Sequence, residues 1–158
     1  MESSEIMRLV AGFSLWIGHV GDVRDPRALL NSGIRAVVDL AVNEPPAVLP
    51  RELIYCRFPL IDGVGNPSWL LHLAIDCVAN FLRSGIPILV YCGAGMSRSP
   101  CIAAAAIADI RGCQADDALL CVAKSGSVDV APGLWAEVKA TRSKPTLAEP
   151  TSFLAHQE

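Results

Sequence analysis

The run Ile86-Pro87-Ile88-Leu89-Val90-Tyr91 constrains this chain more than any other, because only the tyrosine hydroxyl interrupts its apolar surface. A half-buried strand alternates apolar with polar residues. A strand without alternation needs cover on both faces, which is the situation inside a parallel sheet with helices on either side. Directly after it comes Cys92-Gly93-Ala94-Gly95-Met96-Ser97, a turn of mostly small residues. An alanine-rich stretch, roughly Arg98–Arg111, then reads as a helix. Strand, small-residue turn and helix in that order predict an α/β protein.

The flanking sequence agrees. Leu9–Val10 and Leu15–Ile17 sit on either side of Gly12 and predict a short hairpin. Asp25-Pro26 opens a helix that stops at Asn31-Ser32-Gly33, with proline at its first position and glycine past its end. Ala36–Leu40 and Leu53–Phe58 are further strands, separated by Pro45, Pro46 and Pro50. Ser68 reads as the N-cap of a long helix whose apolar residues, from Trp69 to Leu82, recur at spacings of three and four. Two more helices are expected near Ala115–Ala123 and Pro132–Ala140. The expected architecture is a single domain over residues 1–140, with a central, mostly parallel mixed sheet flanked by helices. Residues 141–158 lack periodicity and read as a mobile tail.

Composition removes several classes. At 158 residues and 52% apolar content the chain can bury one sizeable core. Thirteen basic against sixteen acidic residues give a net charge of −3, which argues against a nucleic-acid partner. The longest apolar runs, Leu9–Val20 and Ile102–Ala108, fall short of the roughly 20 residues of a membrane span, so no membrane partner is expected. Glu2 and Glu5 precede any basic residue, the reverse of a secretory leader. Six cysteines without a Cys-x-x-Cys pair, and histidines scattered at 19, 72 and 156, predict neither a disulfide scaffold nor a structural zinc site. A reducing, cytoplasmic setting is expected, with access to the nucleus left open and no metal or cofactor required.

The chemistry sits in the strand–turn–helix. The buried strand delivers Cys92 to a tight turn, where Gly93, Ala94 and Gly95 let successive amides face inward. The helix adds its positive N-terminal end to the same concavity, making a nest for an anion. Arg98, in the first helical turn, offers a planar fork of donors suited to a tetrahedral anion. A thiol at the base of such a field is favoured as thiolate. A nucleophilic sulfur under a phosphate-sized cradle implies phosphoryl transfer through cysteine.

Cysteine, five residues and arginine is a weak pattern alone. The chain holds a second instance, Cys77 to Arg83, whose intervening Val-Ala-Asn-Phe-Leu contains no glycine and lies in the long amphipathic helix. That cysteine reads as core.

Cys92-Gly-Ala-Gly-Met-Ser-Arg-Ser99 resembles the signature loop of the cysteine-dependent dual-specificity protein phosphatases, Cys-x-x-Gly-x-Ser-Arg-Ser, within the protein tyrosine phosphatase superfamily. The likeness runs from about Leu9 to Ala140. It includes Pro59-Leu60-Ile61-Asp62, similar to the family's Pro-hydrophobic-x-Asp segment about 30 residues before the cysteine. It also includes Gly33-Ile34-Arg35-Ala36-Val37-Val38-Asp39-Leu40, similar to an early strand. The resemblance implies Cys92 as nucleophile, Arg98 as phosphate clamp, Asp62 as general acid and Ser99 as stabiliser of the departing thiolate. It further implies phosphate binding by Gly93, Ala94, Gly95, Met96, Ser97 and Arg98.

On local sequence alone Asp62-Gly63 is a solvated turn. Its distance from Cys92 is what favours the acid. Asp39 lies inside a strand and Asp22 in an N-terminal turn, so neither suits that role. Asp109, Asp116 and Asp117 read as solvated helix positions.

Two departures from the family pattern stand out. The residue before the nucleophile is usually histidine, and here it is Tyr91, which carries no positive charge. The segment Lys124–Val130 lacks the arginine often found there. The function implied is a phosphomonoester hydrolase acting on phosphorylated proteins, at phosphotyrosine and phosphoserine or phosphothreonine, since so short a chain has little room for the loops that deepen a tyrosine-only pocket. The alternatives are a phosphoprotein-binding pseudophosphatase, with Tyr91 as its support, and a phosphatase for a non-protein phosphate ester.

Overall fold

The computed structural model describes residues 7–143. Its strands are β1 (Arg8–Leu9), β2 (Leu15–His19), β3 (Ala36–Ala41), β4 (Ile54–Leu60) and β5 (Ile88–Cys92). The α-helices are α1 (Pro26–Asn31), α2 (Ser68–Arg83), α3 (Arg98–Arg111), α4 (Ala115–Ala123) and α5 (Pro132–Ser143). One five-stranded sheet has the order β1-β2-β5-β3-β4, with β1 antiparallel to β2 and every other pair parallel. This is the expected α/β domain with a mostly parallel mixed sheet.

The unbroken apolar run earns its place at the centre. All five residues of β5 are buried, between β2 and β3. Successive side chains along it enter different cores. Ile88, Val90 and Cys92 face the larger one, with α2 and α3. Leu89 and Tyr91 face the smaller one, with Val23, Leu29 and Ile34. Helix α3 is buried from Arg98 to Ile107, and Ala103–Ala106 are small enough to let it lie close to its neighbours on every side.

The other four strands, β1 to β4, shift from the sequence reading by one or two residues at their ends, and three further boundaries differ. Ser68 is the first helical residue rather than the N-cap; Pro67, extended at ψ 140°, caps instead, and its carbonyl accepts from Leu70 N and Leu71 N. The central strand begins at Ile88 rather than Ile86. Helix α5 runs to Ser143, past Ala140, because Arg142 is tied to Asp76 and Asp109 and bonded to His72, and Thr141 is buried. The remainder of the expected tail, 144–158, lies outside the described residues. By contrast Asp25 caps α1 as expected, accepting from Ala28 N at 3.2 Å.

Candidate active site

Cys92 is the last residue of β5 and Arg98 the first of α3, so Gly93–Ser97 forms the loop between a fully buried strand and a fully buried helix start. The loop's carbonyls are taken from outside. Gly93 O accepts from Val20 N at 3.2 Å, Gly95 O from Arg8 Nη2 at 3.0 Å and Met96 O from Asp129 N at 2.7 Å. Peptide bonds among the described residues are all trans, and in a trans peptide the carbonyl and the following N–H point opposite ways. Turning these carbonyls outward therefore aims the amides of Ala94, Met96 and Ser97 inward.

Gly95 is required by geometry. Its φ is +72°, and a Cβ there would stand 2.6 Å from Gly18 O, a backbone atom that cannot step aside.

Arg98 is buried, with its guanidinium anchored on one side. Nη1 donates to Asn43 Oδ1 at 2.9 Å and to Leu60 O at 3.1 Å. Nε is buried with no partner among the described residues, and Ser99 Oγ is in the same condition. An unpaired buried donor is costly. Both belong to the first turn of α3, directly after the loop. Ser97 does not use its hydroxyl to cap α3. That Oγ donates to Asp62 Oδ1 at 2.5 Å and accepts from Ala131 N at 2.8 Å, so Asp62 is drawn onto the loop that Cys92 opens. Asp62 itself stays exposed. The structure thus brings Cys92, Arg98, Ser99 and Asp62 to one end of the sheet, at the C-terminal ends of β4 and β5, where ligands of open α/β sheets bind.

Sequence reasoning missed two participants and the contacts made by a third. Asn43 follows β3 and anchors Arg98. Arg8, on β1, lies against the segment expected to lack an arginine: besides Gly95 O it donates to Ser127 O at 3.0 Å and Ser125 Oγ at 3.2 Å. It braces the back of the loop from more than eighty residues away in sequence. The third is the Ser97 hydroxyl, expected only as part of the phosphate-binding loop. Among the described residues no group of three His, Cys, Asp or Glu is arranged to hold a metal ion, and no helix is long and apolar enough to cross a membrane.

Tyr91 points away from all this. It is 1% exposed and belongs to the smaller core, on the face opposite Cys92. Its hydroxyl hydrogen-bonds Asp39 and Tyr55. Tyr55 donates to Asp39 Oδ2 at 2.5 Å, and Arg57 Nε pairs with the same oxygen at 3.7 Å. Asp39 is therefore a fully buried structural carboxylate, as its place in a strand implied. Asp109 and Asp116 are exposed and paired with Arg142 and Lys139.

Burial first, and then Asp39, pushes the Tyr91 hydroxyl far above its ordinary 10.0; the same two causes raise Tyr55. A phenol raised in the fold stays protonated while the unfolded chain ionises. Its contribution is full below pH 10 and is lost as pH climbs beyond it, by up to about 1.4 kcal/mol per pH unit for each such group. Tyr91→Phe should then cost about 1–3 kcal/mol at neutral pH, the worth of a hydrogen bond to a buried carboxylate. It should also flatten the alkaline fall in stability, leaving the share due to Tyr55, and change activity by less than about threefold. Urea melts from pH 8 to 11 measure the first two. An alkaline slope as steep as the parent's would mean that Tyr91 is not held neutral in the fold.

The family model described as dual specificity phosphatase, catalytic domain, matches residues 15–144. The chain belongs to that family. Its fold is shared with human DUSP28 (TM-score 0.76, 22% identity, covering 87% of this chain and 96% of that one). A mouse putative dual specificity phosphatase complexed with zinc tungstate aligns with TM-score 0.78 and 23% identity, over 90% of each chain. A human tyrosine phosphatase-like serine/threonine/tyrosine-interacting protein aligns with TM-score 0.74 and 19% identity, over 87% of this chain and 96% of that one. Among curated proteins no sequence matches.

Proposed function

We propose that this protein hydrolyses phosphomonoesters through a phosphocysteine intermediate, with phosphorylated proteins as substrates. The observation that carries the reading is the pair of unpartnered buried groups, Arg98 Nε and Ser99 Oγ, beside a loop whose amides face inward above Cys92. A tetrahedral dianion supplies the acceptors these groups need. The mouse neighbour's tungstate, a tetrahedral oxyanion, is in keeping with that fit.

In the first step the Cys92 sulfur attacks phosphorus and the ester P–O bond breaks. Asp62 gives its proton to the departing oxygen. Charge on the equatorial oxygens in the transition state is met by the loop amides and the Arg98 fork. In the second step water attacks the phosphocysteine and Asp62, now ionised, takes its proton. The S–P bond breaks, and the Ser99 hydroxyl stabilises the sulfur as it leaves. The products are the dephosphorylated hydroxyl and inorganic phosphate; no redox partner or metal enters the balance.

The wall carrying Asp62 is short, seven residues between β4 and α2, which favours a shallow site open to phosphoserine and phosphothreonine as well as phosphotyrosine. The cysteines among the described residues are all free, in keeping with a reducing compartment such as the cytoplasm.

A test is hydrolysis of p-nitrophenyl phosphate that vanadate inhibits and a chelator does not. Binding of phosphopeptide without turnover would instead support the pseudophosphatase, and turnover of small esters with none on phosphopeptides would support a non-protein substrate. For the acid, Asp62→Asn should slow phosphotyrosine cleavage by about a hundredfold and an activated aryl phosphate far less, since the better leaving group needs little protonation. Equal losses across a series of leaving groups would make Asp62 structural.

A further inference from the structure

The segment bearing Asp62 is poorly suited to hold anything still. Gly63 and Gly65 flank Val64 with φ of +156° and +106°, and Asp62, Val64 and Gly65 are all exposed. Such a sequence loses much conformational entropy when fixed. General acid catalysis nevertheless requires the carboxyl within hydrogen-bond reach of the leaving oxygen.

The buried polar residue of this segment is Asn66, 8% exposed. Its side-chain amide grips the residues on both sides of Asp62. Oδ1 accepts from Ile61 N at 2.8 Å, and Nδ2 donates to Ile61 O at 3.0 Å and Gly63 O at 3.1 Å. The closed loop is in turn fastened to α5 by one carboxylate. Glu137 Oε2 accepts from Gly65 N at 3.0 Å, and Oε1 accepts from Asn66 N at 3.2 Å and from Asn66 Nδ2 at 3.4 Å. Neither side chain bonds Asp62 itself in this arrangement. Asn66 holds the backbone of the residues on either side, and Glu137 holds Gly65 and Asn66, leaving the Asp62 carboxyl to reach Ser97.

We infer that Asn66 and Glu137 are positioning residues that set the reach of Asp62 over the catalytic loop, Asn66 by clamping Ile61 and Gly63 and Glu137 by docking the clamped loop on α5. The inference rests on the reading of Asp62 as the acid. A residue that acts through the acid slows ester cleavage in proportion to the leaving group's need for a proton, whereas a residue that merely supports the fold slows the cleavage of every ester alike.

The test compares phenyl phosphate with p-nitrophenyl phosphate for Asn66→Ala, Glu137→Ala, Glu137→Gln, Asp62→Asn and the double variant Asp62→Asn/Asn66→Ala, each checked by thermal melt. Asn66→Ala and Glu137→Ala are expected to lose about tenfold or more in kcat/KM on phenyl phosphate and less than about threefold in kcat/KM on p-nitrophenyl phosphate, since kcat/KM reports the ester cleavage and not the hydrolysis of the phosphocysteine that both substrates share. Glu137→Gln keeps one carbonyl acceptor for the loop amides and should recover part of the loss. The double variant should be no slower than Asp62→Asn, because a positioning residue has nothing left to position. If Asp62→Asn shows the leaving-group signature and the Asn66 and Glu137 variants lower both substrates equally, or the double variant is additive, the inference is overturned and the acid stands. If Asp62→Asn lacks the signature, the reading of the acid fails first.

Discussion

Cys92→Ser is expected to lose turnover of p-nitrophenyl phosphate by about four orders of magnitude or more while still binding inorganic phosphate. The substitution removes only the nucleophile. The inward amides are set by Val20, Arg8 and Asp129, and Arg98 is anchored by Asn43 and Leu60; none of these contacts involves the sulfur. Serine is nearly the same shape, so the strand end and the larger core should be undisturbed. Steady-state kinetics together with phosphate titration separates the two effects. Activity within tenfold of the parent would remove the phosphocysteine from the mechanism.

The second large effect is expected at Arg98. Arg98→Lys keeps the charge, but one ammonium cannot hold Asn43 Oδ1 and Leu60 O on one side and present a parallel pair of donors to an anion on the other. The loss should appear in kcat, by about a hundred- to a thousandfold, as well as in phosphate affinity. Loss of affinity with kcat unchanged would mean that Arg98 binds the ground state and the transition state equally, which is not a clamp on the reaction.

The sequence made some of this site plain and hid the rest, for a physical reason. The catalytic loop is contiguous: a both-faces-buried strand, two glycines and a helix start occupy one short stretch, so pattern and spacing reveal it. Asp62 could be singled out because its segment ends a strand at a characteristic distance from Cys92. Arg8, Asn43, Asn66 and Glu137 reach the site only through folding, and as isolated residues they read as ordinary surface positions. The motif places Ser97 in the phosphate-binding loop, but the bonds of its hydroxyl to Asp62 and Ala131 are not legible there. Tyr91 departs from the family pattern. Period-two alternation along β5 already places it on the face opposite Cys92; what alternation cannot supply is the buried Asp39 and Tyr55 that occupy its hydroxyl there. Helix boundaries followed the same division: Asp25 caps α1 by a local bond, whereas α5 outruns its periodicity because Arg142 finds partners on α2 and α3.

The central claim is that phosphorus passes through the Cys92 sulfur, and acid quenching during turnover addresses it directly. The unmodified protein is mixed with p-nitrophenyl phosphate, quenched within the first turnovers, digested and read by mass spectrometry. The account predicts the mass of one phosphoryl group on the peptide containing Cys92, absent when vanadate is added before substrate. Sustained hydrolysis with Cys92 unmodified, or with the phosphoryl group on another residue, would contradict it.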